Sequence, residues 1–250
     1  MVGLQDVLKQ YIHGGQRACV RSFLQHPLMI ALDRAWLEPQ QLKALCAARF
    51  TAVSKFEALL ERARDLAIRQ GMNELGAELH MNLCDERGIG RAFGQGAHKE
   101  WRKDFLDALH IRHEGGRSVP QLYNFTANDS LAILCGMILA AEYTIPPEDK
   151  RILKSLRLRF PDIFTPADKA LPATPEQERA TRYLYDHIHH DAESHFPDLM
   201  RAMNRTVGIG GNREIISGIS RFTDERNALY DVIQQALGFT YEKGTIEPSP

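Results

Sequence analysis

Histidine and acidic residues are concentrated between positions 187 and 195. His187, Asp191 and His195 follow one another at intervals of four residues, so on an α-helix they form one slanted stripe. His189 and Glu193 form a second stripe on a different side of the same helix. Imidazole nitrogens and carboxylate oxygens, without thiolates, are the donors of non-haem iron and manganese sites. A solvated polar helix face has the same composition, so both interpretations stay open at this level.

A second candidate group lies at a sharp turn between two predicted helices. Glu86 ends one helix and His98 begins the next, and the glycines between them allow the chain to reverse. Both side chains are therefore placed to point into one cavity. The plainer interpretation is an ordinary glycine stop with His98 on the surface. The glycines do not predict a dinucleotide site, because a helix rather than a strand precedes them.

Glu142 is the third candidate, because it lies in the most apolar predicted helix and directly follows four apolar residues. An unpaired carboxylate in such a place is costly to desolvate, so it needs a cation, a hydrogen-bond donor or a metal. Its position near the predicted end of the helix leaves a second interpretation, in which the side chain reaches solvent.

The candidates together supply three carboxylates and three histidines from four predicted helices. They are Glu86, His98, Glu142, His187, Asp191 and His195. This is the pattern of di-metal carboxylate sites in helical bundles. The Glu-x-x-His pairs typical of ferritin-like bundles are absent, which disfavours that subclass.

Helical periodicity dominates the elements that must position these residues. Apolar residues recur three and four positions apart over most of the chain, and no alternating strand pattern of any length competes. We predict helices over residues 16–32, 39–60, 76–86, 97–111, 128–143, 149–158, 174–203 and 223–237. The fold class is therefore all-α, a bundle of about seven helices in a single domain over residues 1–250, with a frayed tail from about residue 244.

Local signals predict where several helices begin and end. A Thr-Pro-x-Gln capping box at Thr174 begins the helix that carries the histidines. The proline pair at 146–147 is expected to stop the apolar helix, whose cap is Asn128 or Asp129. Thr223 is expected to cap the last helix.

Composition and charge narrow the class of protein. A net charge of -1 leaves no basic excess to neutralise phosphates, so nucleic acid is not an expected partner. The longest apolar run, Leu131 to Ala141, is shorter than the roughly 18 residues of a membrane span, and the first residues have no signal-peptide pattern. The four cysteines lie far apart, which fits reduced thiols. We expect a cytoplasmic protein that binds neither nucleic acid nor membrane.

Three segments, in their order along the chain, resemble the haem-oxygenase-like di-iron oxidases and oxygenases. This superfamily also includes pyrroloquinoline-quinone synthase and the thiaminase-like proteins. The segments are His26-Pro27, Trp36 to Leu42, and Asn82 to Gly90 with His98 and Trp101 after it. The resemblance extends over roughly residues 15–200, and its most specific part is the stretch from 82 to 90 followed by the histidine.

The resemblance implies a set of iron ligands and an identifiable departure from the family pattern. The implied ligands are Glu86, His98, Glu142, His187, Asp191 and His195, of which Glu86, Glu142 and His187 are also expected to take part in catalysis. The family spaces its last three ligands as His-x3-Asp-x2-His, whereas here three residues separate the last two. A helix bulge would restore the geometry. Otherwise Glu193 or His190 takes the ligand role of His195.

The resemblance also implies a reaction, with two iron ions as the cofactor and dioxygen as the co-substrate. The expected enzyme oxidises a small organic substrate by N-oxygenation, oxidative cleavage or a related reaction. Two alternatives remain: a cofactor-free oxidase or thiaminase-like hydrolase on the same fold, and a non-enzymatic helical interaction protein. A small molecule is the expected partner, and a homodimer is the working hypothesis. Tyr143, Tyr183 and Tyr185 are close in sequence to the candidate ligands and either line a substrate pocket or pack in the core.

Overall fold

The computed structural model describes residues 19–89, 98–111, 119–164, 174–189, 195–206 and 212–240. Within those ranges the chain is helical and forms no β-strand, which confirms the predicted all-α bundle. In chain order the helices are α1 (Cys19–Leu24), α2 (Pro27–Asp33), α3 (Pro39–Ala52), α4 (Phe56–Arg69), α5 (Asn73–Glu86), α6 (His98–Ala108), α7 (Leu131–Arg159), α8 (Pro175–Asp186), α9 (Phe196–Thr206) and α10 (Asn212–Ala236). The predicted tail lies outside the described residues.

Helix α7 is the centre of the bundle. It packs most extensively along α10. It also contacts α1, α2, α3, α4, α8 and α9. Its length and apolar composition would suffice to cross a membrane, but 83% of its most apolar 18-residue window is buried inside the protein. A helix buried on this scale is the core helix of a helical bundle, and its apolar character is explained by that position.

The proline pair does not stop the central helix, so the prediction that a helix ends before Pro146 was wrong. Helix α7 continues through Pro146 and Pro147 to Arg159. An interior proline removes a backbone hydrogen bond and usually breaks a helix. Here residues on both sides of the pair are buried, including Glu148 and Asp149, so tertiary packing outweighs the local cost. The two acidic residues enter the core as a result.

Other helix ends agree with the local signals in part. Helix α8 begins at the predicted capping box. The Thr174 Oγ1 accepts a hydrogen bond from the Gln177 backbone N–H, and the Gln177 Oε1 accepts one from the Thr174 backbone N–H. Helix α7 is capped by Ser130 rather than by the two residues before it. The last helix begins at Asn212, and Thr223 is buried within it, where its hydroxyl donates to the Ile219 carbonyl. The predicted Thr223 cap was therefore wrong.

Candidate metal centre

The end of α5 and the start of α6 bring the first two candidates together. Glu86 is the last residue of α5 and His98 is the first residue of α6. Their side chains meet with 3.0 Å between Glu86 Oε1 and His98 Nδ1. His98 is buried, at 2% exposure, so the alternative of a surface histidine does not hold. The residues of the connecting segment from 90 to 97 lie outside the described residues.

His187 joins this pair from the end of α8. One possible ligand atom from each of Glu86, His98 and His187 lies within 4.8 Å of the other two. The rings of His98 and His187 are edge to face, with their centroids 5.1 Å apart. Three predicted ligands from three separate helix ends therefore form one buried group whose donors are two imidazole nitrogens and a carboxylate oxygen.

The helix changes its winding where the histidines are densest. Helix α8 ends at Asp186, and His187 to His189 form a π-helical turn, a winding that recurs at His195. A wider turn accommodates an extra residue in the helical repeat. The bulge predicted between Asp191 and His195 falls on residues outside the described ranges. Asp191, together with the alternative ligands His190 and Glu193, lies outside the described residues.

Glu142 and His195 form a second buried group beside the first. Glu142 Oε2 lies 3.9 Å from His195 Nδ1, and Glu142 Oε1 accepts a 3.0 Å hydrogen bond from the Asn82 amide. Asn82 is one helical turn before Glu86 on α5, so the two groups share a supporting helix. Glu142 is buried at 2% exposure, which excludes the solvent-reaching interpretation of this side chain.

Each of the three histidines has a carboxylate on one of its ring nitrogens. The pairs are His98 Nε2 with Asp186 Oδ2 at 2.8 Å, His187 Nδ1 with Asp149 Oδ2 at 2.7 Å, and His195 Nε2 with Asp85 Oδ2 at 2.8 Å. In metal sites a histidine ligand characteristically donates its second nitrogen to such a carboxylate, which fixes the ring orientation and the tautomer. The remaining nitrogens of His98 and His195 face Glu86 and Glu142.

The electrostatics of the first group favour opposite charges on Glu86 and His98. Burial alone would raise the pKa of Glu86, but the neighbouring His98 and, more weakly, His187 and Arg102 lower this pKa to about 2. Burial likewise opposes a charge on His98, yet Glu86 and Asp186 hold the pKa of His98 well above its ordinary value. Without a cation between them, the imidazole itself supplies the positive charge that the carboxylates need.

Aromatic side chains enclose the first group. The ring centroid of Tyr183 lies 4.3 Å from that of His187 and 6.0 Å from that of His98. The ring centroid of Trp101 lies 5.2 Å from that of His98. Burial raises the pKa of the Tyr183 phenol above its ordinary value. Of the three tyrosines singled out from the sequence, Tyr183 therefore contacts the candidate ligands, whereas Tyr185 is exposed.

The supporting acids Asp85, Asp149 and Asp186 were not predicted from the sequence. Two of them are the immediate neighbours of predicted ligands, since Asp85 precedes Glu86 and Asp186 precedes His187. Asp149 was overlooked because its helix was predicted to be a separate short one. The signal that would have found it is an acidic pair in an otherwise apolar core helix.

The donors of the two groups are suited to iron. Imidazole nitrogen and carboxylate oxygen, with no cysteine sulfur among the ligand atoms of the described cluster, match the preference of non-haem iron. Burial and the carboxylate partners of the histidines are also what a metal centre requires. The fold and the site thus define a helical bundle with a candidate metal centre of histidines and carboxylates in its core.

Comparisons with known proteins agree with that class. Residues 50–226 match the family described as iron-containing redox enzymes. The chain therefore belongs to this family, which confirms the resemblance to the haem-oxygenase-like iron enzymes found in the sequence. No curated protein matches the chain.

Two crystal structures of a CADD-like protein of unknown function from Nostoc punctiforme PCC 73102 are similar to this chain. The 2.00 Å structure superposes with a TM-score of 0.70 at 18% sequence identity, covering 94% of this chain and 96% of that one. The 1.35 Å structure superposes with a TM-score of 0.67, also at 18% identity, and 94% of each chain is covered. At this identity the likeness establishes a common fold.

Proposed function

We propose that this protein is a non-haem di-iron oxidase or oxygenase that uses dioxygen to oxidise a small organic substrate. The observation that carries the proposal is the buried group of Glu86, His98 and His187, whose possible ligand atoms lie within 4.8 Å of one another. The family of iron-containing redox enzymes supports iron as the metal.

In this proposal the two buried groups supply the ligands of two iron ions. Glu86, His98 and His187 would hold one ion, and Glu142 and His195 would hold the other, with Asp191 as a further ligand from the segment between the histidines. When bound, the iron ions supply the electrons and the open coordination positions that let dioxygen react with an organic molecule. Glu86, Glu142 and His187 would then lie at the reacting centre.

The protein's own residues prepare the centre in three ways. Asp186 and Asp149 each hold one imidazole, so the other ring nitrogen has a fixed position. Carboxylate oxygens of Glu86 and Glu142 bring the negative charge that balances metal cations. Burial of all three histidines, each below 5% exposed, keeps bulk water away from the reacting atoms.

The partners and the compartment follow from the same proposal. We expect a small-molecule substrate, no nucleic-acid or membrane partner, a cytoplasmic location and a homodimer. The near-neutral charge of -1 supports the absence of a polyanionic partner. The identity of the substrate would follow from oxygen-uptake measurements on a panel of small amines and acids with the iron-loaded protein.

Anaerobic titration with ferrous iron tests the proposal directly. We expect two tightly bound iron ions per chain, followed by a transient visible absorption band when oxygen is admitted. His187→Ala should lose iron from the first group, and His195→Ala should lose it from the second, with helicity retained in both. A wild-type chain that binds no iron would refute the proposal.

His189→Ala is the matched control for His187→Ala. His189 belongs to the same π-helical turn but is exposed, and its ring stacks near Tyr185 at a centroid distance of 5.2 Å. Loss of a histidine there should leave iron binding unchanged. Equal loss of iron in the two variants would show that the turn as a whole, rather than the His187 imidazole, matters for binding.

A further inference from the structure

A cluster of buried charges lies directly behind His187. It consists of Arg49 on α3, Glu148 and Asp149 on α7, and Arg226 and Tyr230 on α10. Each of these residues is at most 2% exposed. Three helices that are far apart in the sequence therefore meet at this cluster, and one of its members, Asp149, also contacts a candidate ligand.

The two oxygens of Asp149 have different partners. Asp149 Oδ2 contacts His187 Nδ1 at 2.7 Å, whereas Asp149 Oδ1 contacts Arg49 Nη2 at 2.5 Å. The same guanidinium holds Glu148, with 2.9 Å between Arg49 Nε and Glu148 Oε2. Arg49 thus pairs with the Asp149 oxygen that the histidine does not contact, and the planar, forked geometry of arginine allows it to engage both acids at once.

Glu148 is fixed independently by α10. Its carboxylate contacts the Arg226 guanidinium and accepts a hydrogen bond from the Tyr230 hydroxyl. The pKa of Glu148 is lowered, since the two arginines outweigh the effect of burial. Arg226 and Arg49 therefore share one buried acid, but the contact with Asp149 belongs to Arg49.

Buried ion pairs add little to stability compared with apolar residues of the same size, because the cost of desolvation offsets the attraction. A cluster of this kind is thus better explained by the position that it gives to a neighbouring group. We propose that Arg49 is a positioning residue for the metal centre, acting through Asp149 to hold the His187 imidazole in the orientation that binds metal. This inference rests on the proposed function, because it assigns a role to His187 as a ligand.

Arg49→Lys and Arg226→Lys form a matched pair for the test. Both replace a buried arginine that contacts Glu148, and both keep the positive charge, but lysine cannot reproduce the two-acid contact of Arg49. We expect both variants to unfold at a lower temperature than the wild-type chain. Only Arg49→Lys should also change the metal centre.

The probe is cobalt(II), added to the metal-free full-length chain, with affinity measured by titration and ligand geometry by the visible spectrum. We expect Arg49→Lys to weaken cobalt binding by about 10–100-fold and to shift its visible bands, as loss of a group supporting a histidine ligand typically does. Arg226→Lys should keep the wild-type affinity and spectrum. Asp149→Asn should reproduce the cobalt defect and provides the answer if Arg49→Lys does not fold.

The outcomes separate the two proposals. If the wild-type chain binds cobalt, and Arg49→Lys and Arg226→Lys do not differ from each other in cobalt affinity or visible spectrum, the proposed positioning role of Arg49 is wrong. In that case the proposed metal centre stands. Wild-type cobalt affinity in Asp149→Asn would likewise overturn the positioning role of Arg49. If the wild-type chain binds neither cobalt nor iron, the proposed function fails, and the role of Arg49 fails with it.

Discussion

Two glycines allow the central helix to pack against α10, and alanine at either position should strongly destabilise the protein. A Cβ atom added at Gly136 on α7 would lie 2.1 Å from the carbonyl oxygen of Ile215 on α10. The relation is reciprocal, because a Cβ atom at Gly218 would lie 2.1 Å from the carbonyl oxygen of Ile133. The two backbones are therefore in direct contact at this crossing.

The geometry gives the size of the effect. Close carbon–oxygen contacts between backbones are about 3.3 Å, so the new methyl group would overlap its neighbour by roughly 1 Å. Backbone atoms of a buried helix cannot rotate away, and the helices would have to separate. Overpacking in a core costs about 1–3 kcal/mol and occasionally more. The higher helix propensity of alanine would stabilise the helix by only about 1 kcal/mol relative to glycine. We expect Gly136→Ala to lower the free energy of unfolding by about 3 kcal/mol or more, at the upper end of the range for overpacking.

Gly76→Ala on α5 is the matched control, because this glycine is also buried within a helix. There the added Cβ would meet a side-chain atom, Ile68 Cγ1, at 2.9 Å, and the Ile68 side chain is 54% exposed, so it can shift towards solvent without displacing a neighbouring backbone. Its free energy of unfolding should stay near the wild-type value or rise by up to about 1 kcal/mol. Denaturant unfolding monitored by circular dichroism measures the free energy of unfolding of Gly136→Ala, Gly218→Ala and Gly76→Ala. Wild-type stability in Gly136→Ala would refute the proposed backbone contact.

Three further predictions concern pH, thiol reactivity and helix capping. In the metal-free chain, the lowered pKa of Glu86 means that the ionised carboxylate stabilises the folded state fully above the ordinary pKa of 4.5. This stabilisation, roughly 3 kcal/mol at most, is lost as the pH falls towards 2. The difference in unfolding free energy between wild type and Glu86→Gln should therefore shrink between about pH 5 and pH 2, and a constant difference would contradict the ion pair. Burial raises the pKa of the Cys46 and Cys135 thiols to about 12, so iodoacetamide should label partly exposed Cys84 far faster in the native chain, as measured by mass spectrometry. Thr174→Ala should lower the free energy of unfolding by about 1 kcal/mol in denaturant titration, and no change would mean that the cap contributes nothing.

Local sequence signals predicted the elements that depend on neighbouring residues. The capping box at Thr174 and the ends of helices at Glu86 and His98 all appear where the sequence placed them. Each depends on residues within one or two helical turns, so the sequence contains the whole cause. For Glu142 the sequence left burial and exposure to solvent open, and the folded chain shows that the side chain is buried.

Long-range packing decided the features that the sequence did not reveal. The proline pair at 146–147 is a strong local stop signal, but the residues after it are buried against α3 and α10, which no local pattern indicates. The pairing of histidines with acids is also a property of the folded chain, since Asp149 is 38 residues from His187 and Asp85 is 110 residues from His195.

Two pairs of adjacent residues each divide their contacts between two partners, and one of these pairs, Asp85 and Glu86, links the two buried groups. Adjacent residues on a helix point about 100° apart, so each pair supplies two different partners. Asp85 contacts His195 while Glu86 contacts His98, and Asp186 contacts His98 while His187 contacts Asp149. His98 is therefore held by one acid from α5 and one from α8, and the acid beside Glu86 reaches the other group. A shift of the end of α5 by one residue would disturb both groups, because Glu86 is a candidate ligand of the first group and Asp85 orients His195 in the second. This shared helix end is the physical reason to test the proposed pair of metal ions as one centre rather than as two independent sites.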